Sequence, residues 1–598
     1  MNKLVRVFAS AALLVSVITL FTRLVGFARW LVFSPTVGAG TIGTAYQSAN
    51  QVPNILFEVV VGGALAGAVI PLLAIPLARS DKETAGQIAS GLLTWAVSVT
   101  LPLSILLAVF AHPIAGLIVR KGAEGQTATA AFLLMFSPQL VLYGIGAVLT
   151  GVLQAHRKFL WPAFAPLLSS LVVIGCYVAY MMVGGTDDTW QSHIEWLGWG
   201  TTIGVAALAL PLALPMRSTG LTISPTWTFP PGVAHRALRL AGAGMAALLA
   251  QQAAVLMTLR LANYSGGEGT YVLFSYINAV YLLPYGVLAI PIATVMFPSL
   301  SGWVGRTNDP DSSPQERESA RARLHQLTAT TSAVIVSIGL LGAVILISAA
   351  GSLQTFFTAI DAADGQPGVP FAAMSQAIMV MALAVPGWSF VAWGTRVFYA
   401  MERSRYSAMA TTAGWLLVIV GMVLAILVTN ANGDPGLTLV AICCGYVLGM
   451  SVAGLTLLIS MRRVLGASGL QGIVRRSLLS LAAAAVASAA GVVVSRLLLE
   501  PLGTGAVGSV INGVASALVG IMVFLIILVI DRSYFAEVRS LLSSRRGGPD
   551  LAEQTDPVVQ LDPAAHPNPA DHAARPHTPT ESHTPTESHT PTENEDDR

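Results

Sequence analysis

Four charged or strongly polar residues near the start of the chain lie inside segments that are otherwise apolar: Arg23, Arg29, Asn54 and Glu58. A charge inside a bilayer is costly unless it faces a protein interior or a water-filled cavity. Arginine stays charged and binds phosphate through two parallel N–H groups. Two guanidinium groups balanced by one carboxylate therefore suit a doubly charged phosphate group, which would supply the missing negative charge.

Spacing decides whether Arg23 and Arg29 reach the same cavity. The predicted first span begins near residue 7, which places Arg23 about 24 Å and Arg29 about 33 Å along a straight helix. Six residues turn such a helix through about 600°, so the two side chains point about 120° apart. A bend at Gly26 would bring both into one lumen. The alternative is that Arg29 extends to the membrane surface.

The second predicted span has the features of a hinge. Asn54 and Glu58 are four residues apart and share one helix face. Pro53 removes a backbone donor, and Gly62 and Gly63 loosen the turn that follows. A kinked helix with freed carbonyl groups is tolerated at membrane depth only where it faces protein or water. This segment is therefore predicted to line a cavity.

Two further positions belong to the candidate site. Arg396 lies near the end of the predicted tenth span, where it either contacts a substrate or extends to the membrane surface beside Arg403. Pro284 is predicted to kink the eighth span. The segment around Pro284 also loosely resembles the second span, six spans earlier.

The composition indicates an all-α polytopic membrane protein. Of 598 residues, 54% are hydrophobic and 10% are charged, with a mean hydropathy of +0.69; soluble domains carry about 25% charged residues. A net charge of +2, with no basic cluster among aromatic residues, argues against nucleic-acid binding. The sequence contains no P-loop, metal-ligand cluster or Ser-His-Asp grouping. We therefore expect a transporter rather than an enzyme, without cofactor or metal, driven by the membrane potential or by a sodium or proton gradient.

About fourteen membrane-spanning helices are predicted from apolar windows of about 20 residues. They cover residues 7–33, 42–77, 86–111, 128–154, 161–184, 195–215, 236–262, 270–300, 325–350, 373–400, 406–429, 437–460, 473–498 and 505–531. Most lysine and arginine residues then fall on one side of the membrane. This asymmetry predicts that both termini are cytoplasmic. The opposite side carries only Arg120, Lys121, Arg260 and Arg496 as basic loop residues, together with acidic residues such as Glu268, Asp361 and Asp434.

A weak internal repeat predicts how the spans are grouped. Val152–Ala163 aligns with Val397–Ala408, six spans later. Transporters are often built from two such bundles with the substrate path between them. We therefore expect two six-helix lobes around a central cavity (1–216 and 217–465), two extra helices (466–531) and a tail (532–598). The tail carries HTPTES repeats, and its polar composition predicts disorder. Its threonines suggest a phosphorylation-dependent partner.

Several motifs resemble one known family. TLFTRLVGFAR, VGAG, AYQSANQVPNILFEVVVGGAL, AVIPLL and LQAHRKFLWPAFAPLL are similar to the MurJ (MviN) family of lipid II flippases. That family belongs to a superfamily with MATE multidrug exporters and polysaccharide-precursor flippases. The resemblance implies fourteen helices, a V-shaped cavity and alternating access. It also implies export of the undecaprenyl-diphosphate-linked peptidoglycan precursor across the bacterial plasma membrane, with Arg23 and Arg29 matching the arginines that handle the substrate.

The chain departs from this pattern at several charged positions. It has Thr44 where family members often carry aspartate, Phe57 where an arginine often follows P-N-x-L, and Asn278 and Ala279 where a charged cluster is common. These departures predict a divergent branch, whose charge network and ion coupling need not follow the better-known members.

The main functional hypothesis is a lipid II flippase in which Arg23 and Arg29 hold the diphosphate. Glu58 would be their partner in the resting state, and Asn54 a polar contact. Two other hypotheses remain. One is a MATE-like or polysaccharide-precursor exporter, and the other is a membrane scaffold for cell-wall or division proteins.

Overall fold

The computed structural model describes residues 3–60, 67–120, 124–233, 237, 245–362, 368–466 and 468–530. These residues belong to one compact unit, which covers residues 1–541. They are helical almost throughout, and no strand occurs among them. The predicted hinge residues Gly62 and Gly63, and the tail 532–598, lie outside the described residues.

The first ten α-helices cover the part of the chain that was predicted to form the first lobe. They are α1 (Lys3–Thr36), α2 (Thr41–Phe57), α3 (Gly67–Ala78), α4 (Lys82–Val109), α5 (Ala111–Ile118), α6 (Glu124–Phe136), α7 (Gln139–Ala155), α8 (Leu160–Met182), α9 (Trp190–Ala209) and α10 (Ala213–Met216). Short 3₁₀ turns at Leu210–Leu212 and Arg217–Thr219 flank α10.

Ten further α-helices follow. They are α11 (Met245–Leu261), α12 (Thr270–Pro284), α13 (Ile290–Asn308), α14 (Pro314–Ile360), α15 (Phe371–Ala382), α16 (Val385–Ala400), α17 (Ser404–Thr429), α18 (Pro435–Leu465), α19 (Ile473–Leu502) and α20 (Ala506–Ile530). π-Helical geometry interrupts the α-helices at Ala262–Gly266 after α11, at Tyr285–Ala289 between α12 and α13, and at residues 58–60 after α2. A 3₁₀ turn covers Ser468–Leu470.

The architecture confirms an all-α membrane protein, but not the count of fourteen spans. Eleven helical segments of the described residues are long and apolar enough to cross a membrane. A twelfth is obtained if α6 and α7, which are bent by 41° relative to each other, form one span. With 17 and 12 residues, α2 and α3 are each shorter than the roughly 20 residues that a separate span needs.

Helix packing falls into two groups in the described part of the chain. In the first, α1 packs on α8, α2 on α6 and α4 on α7. In the second, α17 packs on α18, while α16 packs on both α14 and α18. This pairing is compatible with two lobes, whose division at residue 217 stays a prediction. The chain after 217 first runs along α4, where the N–H groups of Ser224 and Thr226 bond the hydroxyl groups of Ser90 and Thr94 at 3.1 and 3.0 Å.

The last two helices pack on each other and on α14. Small polar residues join them within the bundle. The hydroxyl oxygens of Ser337 and Ser480 are 2.8 Å apart, and those of Thr355 and Ser509 are also 2.8 Å apart. In an apolar environment such residues allow close helix approach and hydrogen bonding. The pair α19 and α20 is therefore fixed to α14 by its interior face.

Candidate functional site

A cavity of about 180 Å³ lies between α1 and the helix formed by α12 and the following π-helix. Its lining is mostly apolar and includes one arginine. The lining residues are Arg23, Gly26, Phe27 and Trp30 of α1, and Ala279, Leu282, Leu283 and Val287 on the opposite side. Because Arg23 is the only charged residue of this lining, the cavity suits a small anionic group with an apolar extension.

The Arg23 guanidinium packs directly against Gly286. A Cβ atom at position 286 would overlap the Arg23 Nη1 atom and lie 3.4 Å from its Cζ atom. Gly286 belongs to the π-helix Tyr285–Ala289, which begins immediately after Pro284. Proline lacks an N–H group, and π-helical turns are frequent at functional sites. A π-helix thus begins directly after Pro284, where a kink is predicted, and its Gly286 leaves the space that the Arg23 guanidinium occupies.

Arg396, on α16, contacts α13, the helix that continues directly from the π-helix of Gly286. Its Nη1 donates to the carbonyl oxygen of Ala392 at 2.8 Å, and its Nη2 donates to the Thr294 hydroxyl at 3.2 Å. Thr294 lies on α13, about one and a half turns beyond the end of the π-helix. The Tyr285 hydroxyl is within electrostatic range of both Arg396 and Arg23. The structure thus groups Arg23, Tyr285 and Arg396 around one helix, and the sequence analysis had not included Tyr285.

Arg29 is not part of the cavity lining. It is half-buried, and its Cζ lies 6.0 Å from the centre of the Trp30 ring. Its charge acts on three tyrosines of neighbouring helices: Tyr46, Tyr143 and Tyr177. Helix α1 continues through Gly26 without interruption. The expected common lumen for Arg23 and Arg29 is therefore not formed in this conformation, because side chains six residues apart on one helix point in different directions.

The expected ion pair of Glu58 is not formed either. Glu58 is half-buried, and no ion pair joins it to Arg23 or Arg29 within the described residues. The side-chain amide of Asn54 turns back on its own helix and donates to the carbonyl oxygen of Asn50 at 3.0 Å. Their roles as substrate contacts stay predictions.

The predicted kink at Pro53 is displaced along the helix. Helix α2 passes through Pro53 and ends at Phe57, and π-helical geometry follows at residues 58–60. Phe57 packs on Tyr143, with ring centres 5.0 Å apart. Phe57 therefore makes an aromatic contact from the end of α2 to α7.

An aromatic cluster closes one side of the cavity. The Trp30 ring meets the rings of Phe33 and Tyr276 edge-on, at centre distances of 6.0 and 5.7 Å. Tyr276 in turn stacks on Phe357 at 4.7 Å, with the ring planes 12° apart. Phe33, Tyr276 and Phe357 are fully buried. The cluster joins α1, α12 and α14, and it separates the cavity from the end of α1.

Beyond this cluster lies a buried carboxylate, that of Asp361, which the charge pattern places among the acidic loops on the outer side of the membrane. Asp361 is 6% exposed. It accepts hydrogen bonds from the Ser34 hydroxyl at 2.7 Å, the Ala39 N–H at 2.9 Å and the Tyr276 hydroxyl at 2.9 Å. Sequence offered little signal for this role, since an aspartate that follows a long helix usually faces solvent.

Further hydrogen bonds join the two helix groups around Asp361. Asn263 donates to the Ser48 hydroxyl at 2.9 Å. The Gly269 N–H donates to the Thr44 hydroxyl at 2.9 Å, so Thr44 also links the two helix groups. We call this region, formed by residues 34–48, 263–269 and Asp361, the Asp361 end. The cavity is closed there, whereas Arg23 and Thr294 on its other side are exposed.

The model of the lipid II flippase MurJ family matches residues 33–529 of this chain. The chain belongs to this family. Among curated MurJ relatives, the probable lipid II flippase MurJ of Synechocystis sp. is 29% identical over 222 residues, which cover 36% of this chain and 41% of the relative. The chain spans about half the length of the curated relatives it matches, between 41% and 53% for three of them.

Solved structures agree with the MurJ fold. A lipid II flippase MurJ in an inward closed conformation superposes with a TM-score of 0.61 at 20% identity, covering 87% of this chain and 98% of that one. An inward-facing MATE family transporter of the MOP superfamily gives 0.59 at 16% identity, covering 77% and 99%. The family resemblance inferred from the motifs is thus confirmed, and these structural likenesses concern the fold alone.

Proposed function

We propose that this protein is a lipid II flippase. It would move the undecaprenyl-diphosphate-linked peptidoglycan precursor from the inner to the outer leaflet of the bacterial plasma membrane by alternating access. Membership of the MurJ family supports this proposal. The observation that carries it is an arginine in a mostly apolar cavity that is closed at one end and exposed at the other.

The diphosphate would bind first at Arg23. Arginine matches phosphate oxygens bidentately and keeps its charge at membrane depth. Tyr285 lies in the π-helix beside Arg23, and Arg396 of α16 bonds Thr294 on the helix that follows; these two residues would add a hydroxyl donor and a charge. Arg29 would join only after a rearrangement of α1, and Asn54 and Glu58 would contact the substrate at the same stage. Because the other residues of the cavity lining, among them Ala279, are uncharged, Arg23 would be the main binding group for the diphosphate.

Orientation follows from the distribution of basic residues. Both termini are proposed to be cytoplasmic, so the Asp361 end faces outward and the exposed side of the cavity faces the cytoplasm. Moving one charge through 100 mV is worth about 2.3 kcal/mol. A negative cell interior would favour outward movement of an anionic head group and the inward return of an empty cationic cavity. The membrane potential is therefore the proposed driving force, with a sodium or proton gradient as the alternative.

The direct test is flipping of labelled lipid II by the full-length protein in vesicles with a clamped potential. We expect flipping that accelerates when the side reached by the exposed cavity is negative. Flipping that ignores voltage and follows a sodium or proton gradient would overturn the proposed driving force. The absence of flipping under every gradient, by a protein that is folded and inserted, would overturn the function itself.

Two controls separate the competing functions. A polyprenyl-linked polysaccharide precursor and a cationic drug, assayed in the same vesicles, test the exporter alternative, because a dedicated flippase should move neither efficiently. Truncation after residue 541 tests the scaffold alternative, which requires the tail for function. For the flippase we expect full flipping by the truncated chain, while any phosphorylation-dependent partner of the tail would be lost.

A further inference from the structure

The contacts of Asp361 connect the two helix groups that would have to separate for the cavity to open at the Asp361 end. Ser34 and Ala39 belong to α1 and the turn after it, whereas Tyr276 belongs to α12 and Asp361 follows α14. The Ala362 N–H also donates to the carbonyl oxygen of Ser34 at 2.9 Å. One carboxylate and its neighbour thus link three helical segments.

Opening would change these contacts unequally. Movement of α1 away from α12 removes the Ser34 and Ala39 donors from the carboxylate, while Tyr276 remains on its side of the gap. The same movement separates Trp30 from Tyr276, whose rings close the cavity. Hydrogen bonds to an ionised acceptor are about twice as strong as neutral ones. The free-energy balance between closed and open forms therefore depends strongly on this carboxylate.

Distance argues against a direct role of Asp361 in binding the substrate. Ser34 follows Arg23 by eleven residues, or about 16 Å along α1. The aromatic cluster of Trp30, Phe33 and Tyr276 lies between the two regions. A carboxylate would also repel a diphosphate. The role that remains is control of the passage toward the Asp361 end.

We propose that Asp361 is the positioning residue that holds the outer gate closed, with Ser34, Ala39 and Tyr276 as its donors. The proposal rests on transport by alternating access, but not on lipid II being the substrate. Loss of the carboxylate would shift the resting protein toward the form that is open at the Asp361 end.

The experiment measures the accessibility of one engineered cysteine. Cys176, Cys443 and Cys444 are replaced by alanine in the full-length chain, and Ala279→Cys is introduced in the cavity lining. A membrane-impermeant maleimide is then applied separately to each face of vesicles of defined orientation. In the protein that carries Ala279→Cys and an unaltered Asp361, labelling should be slow from the Asp361 end and fast from the opposite face.

In the Asp361→Asn variant, we expect labelling from the Asp361 end to rise about tenfold, which corresponds to about 1.4 kcal/mol. Labelling from the opposite face should fall. The reciprocal change is the decisive readout, because local unfolding would raise labelling from both faces. Asp434→Asn is the matched control: Asp434 accepts the Leu437 N–H at 2.9 Å within its own helix terminus, and in the described part of the chain its carboxylate makes no hydrogen bond to the other helix group.

A second variant keeps the test valid if Asp361→Asn is not recovered in the membrane. Ser34→Ala combined with Tyr276→Phe removes two donors and leaves the carboxylate, and it should produce a smaller shift in the same direction. Unchanged labelling in folded variants, or an equal rise from both faces, would overturn the gate role. Because no lipid II is present, a negative result here is distinct from failure of the flippase proposal.

Discussion

The cavity at Arg23 and the closed Asp361 end each contain a charged side chain within the helical bundle. The two side chains differ in burial and in how many hydrogen bonds they make to the protein. Asp361 is buried and accepts three hydrogen bonds from two helix groups. Arg23 is exposed to the cavity, and no hydrogen bond or ion pair engages its guanidinium within the described residues. A charge whose bonding capacity is filled by the protein fixes a conformation. A charge that retains free donors is available to a ligand.

The largest expected effect on flipping comes from removing the Arg23 guanidinium, whose N–H groups are free to bind a ligand. Arg23→Ala should lower lipid II flipping about 100-fold, since a bidentate charge-assisted contact is lost. Arg23→Lys should recover only part of this, because an ammonium group cannot match two phosphate oxygens in one plane. Arg405→Ala, which removes an arginine stacked on the adjacent Tyr406, is the control in the same flipping assay. Full activity of Arg23→Lys would show that bidentate recognition is the wrong role.

The next effect concerns the space that Arg23 uses. Gly286→Ala places a Cβ atom where the Arg23 guanidinium lies, so the side chain must move. We expect about tenfold slower flipping, equivalent to about 1.4 kcal/mol, with little loss of thermal stability. Gly302→Ala on α13 meets no atom within 4 Å and should leave flipping unchanged. Equal activity of the two variants would separate Gly286 from the site.

A smaller effect is expected at Tyr285. Tyr285→Phe removes the hydroxyl near Arg23 and Arg396 but keeps the ring that packs on Trp388 at a centre distance of 5.5 Å. Loss of one neutral hydrogen bond to the substrate should slow flipping about three- to tenfold. Binding of labelled lipid II, measured alongside flipping, should weaken by the same factor. A change in folding alone, with unaltered binding, would contradict the grouping of Tyr285 with the two arginines.

The smallest effect lies at a charge outside both regions. Glu316 and Ser313 form a capping box at the start of α14, and the hydrogen bonds from Ser313 lower the pKa of Glu316. Since the folded-state pKa is lowered, the stabilisation is present at neutral pH and is lost as the pH falls through that lowered pKa. Glu316→Gln should lower the melting temperature slightly at pH 7, with no difference in acid, and leave flipping intact. A flipping defect would show that charges outside the two regions also matter.

The fold was largely predictable because long apolar windows leave few alternatives in a bilayer. The sequence motifs also identified the family. A π-helix begins directly after Pro284, where a kink is predicted. Pro53 was predicted to kink the second span, but α2 continues through Pro53 and departs from α-helical geometry only at residues 58–60. The ion pair predicted between Glu58 and the two arginines rested on their opposite charges alone, because the sequence does not show which faces of α1 and α2 meet.

The sequence by itself thus determined the all-helical membrane class and the family, because hydropathy and local motifs are properties of short segments. Only the tertiary structure decided which charges meet. Arg23 of α1 packs against Gly286 of a distant π-helix, Arg396 of α16 bonds Thr294 on the helix that follows, and Asp361 contacts Ser34 across 327 positions of the chain. Such contacts depend on how the helices are rotated and packed, and the spacing of residues within any one helix does not specify this.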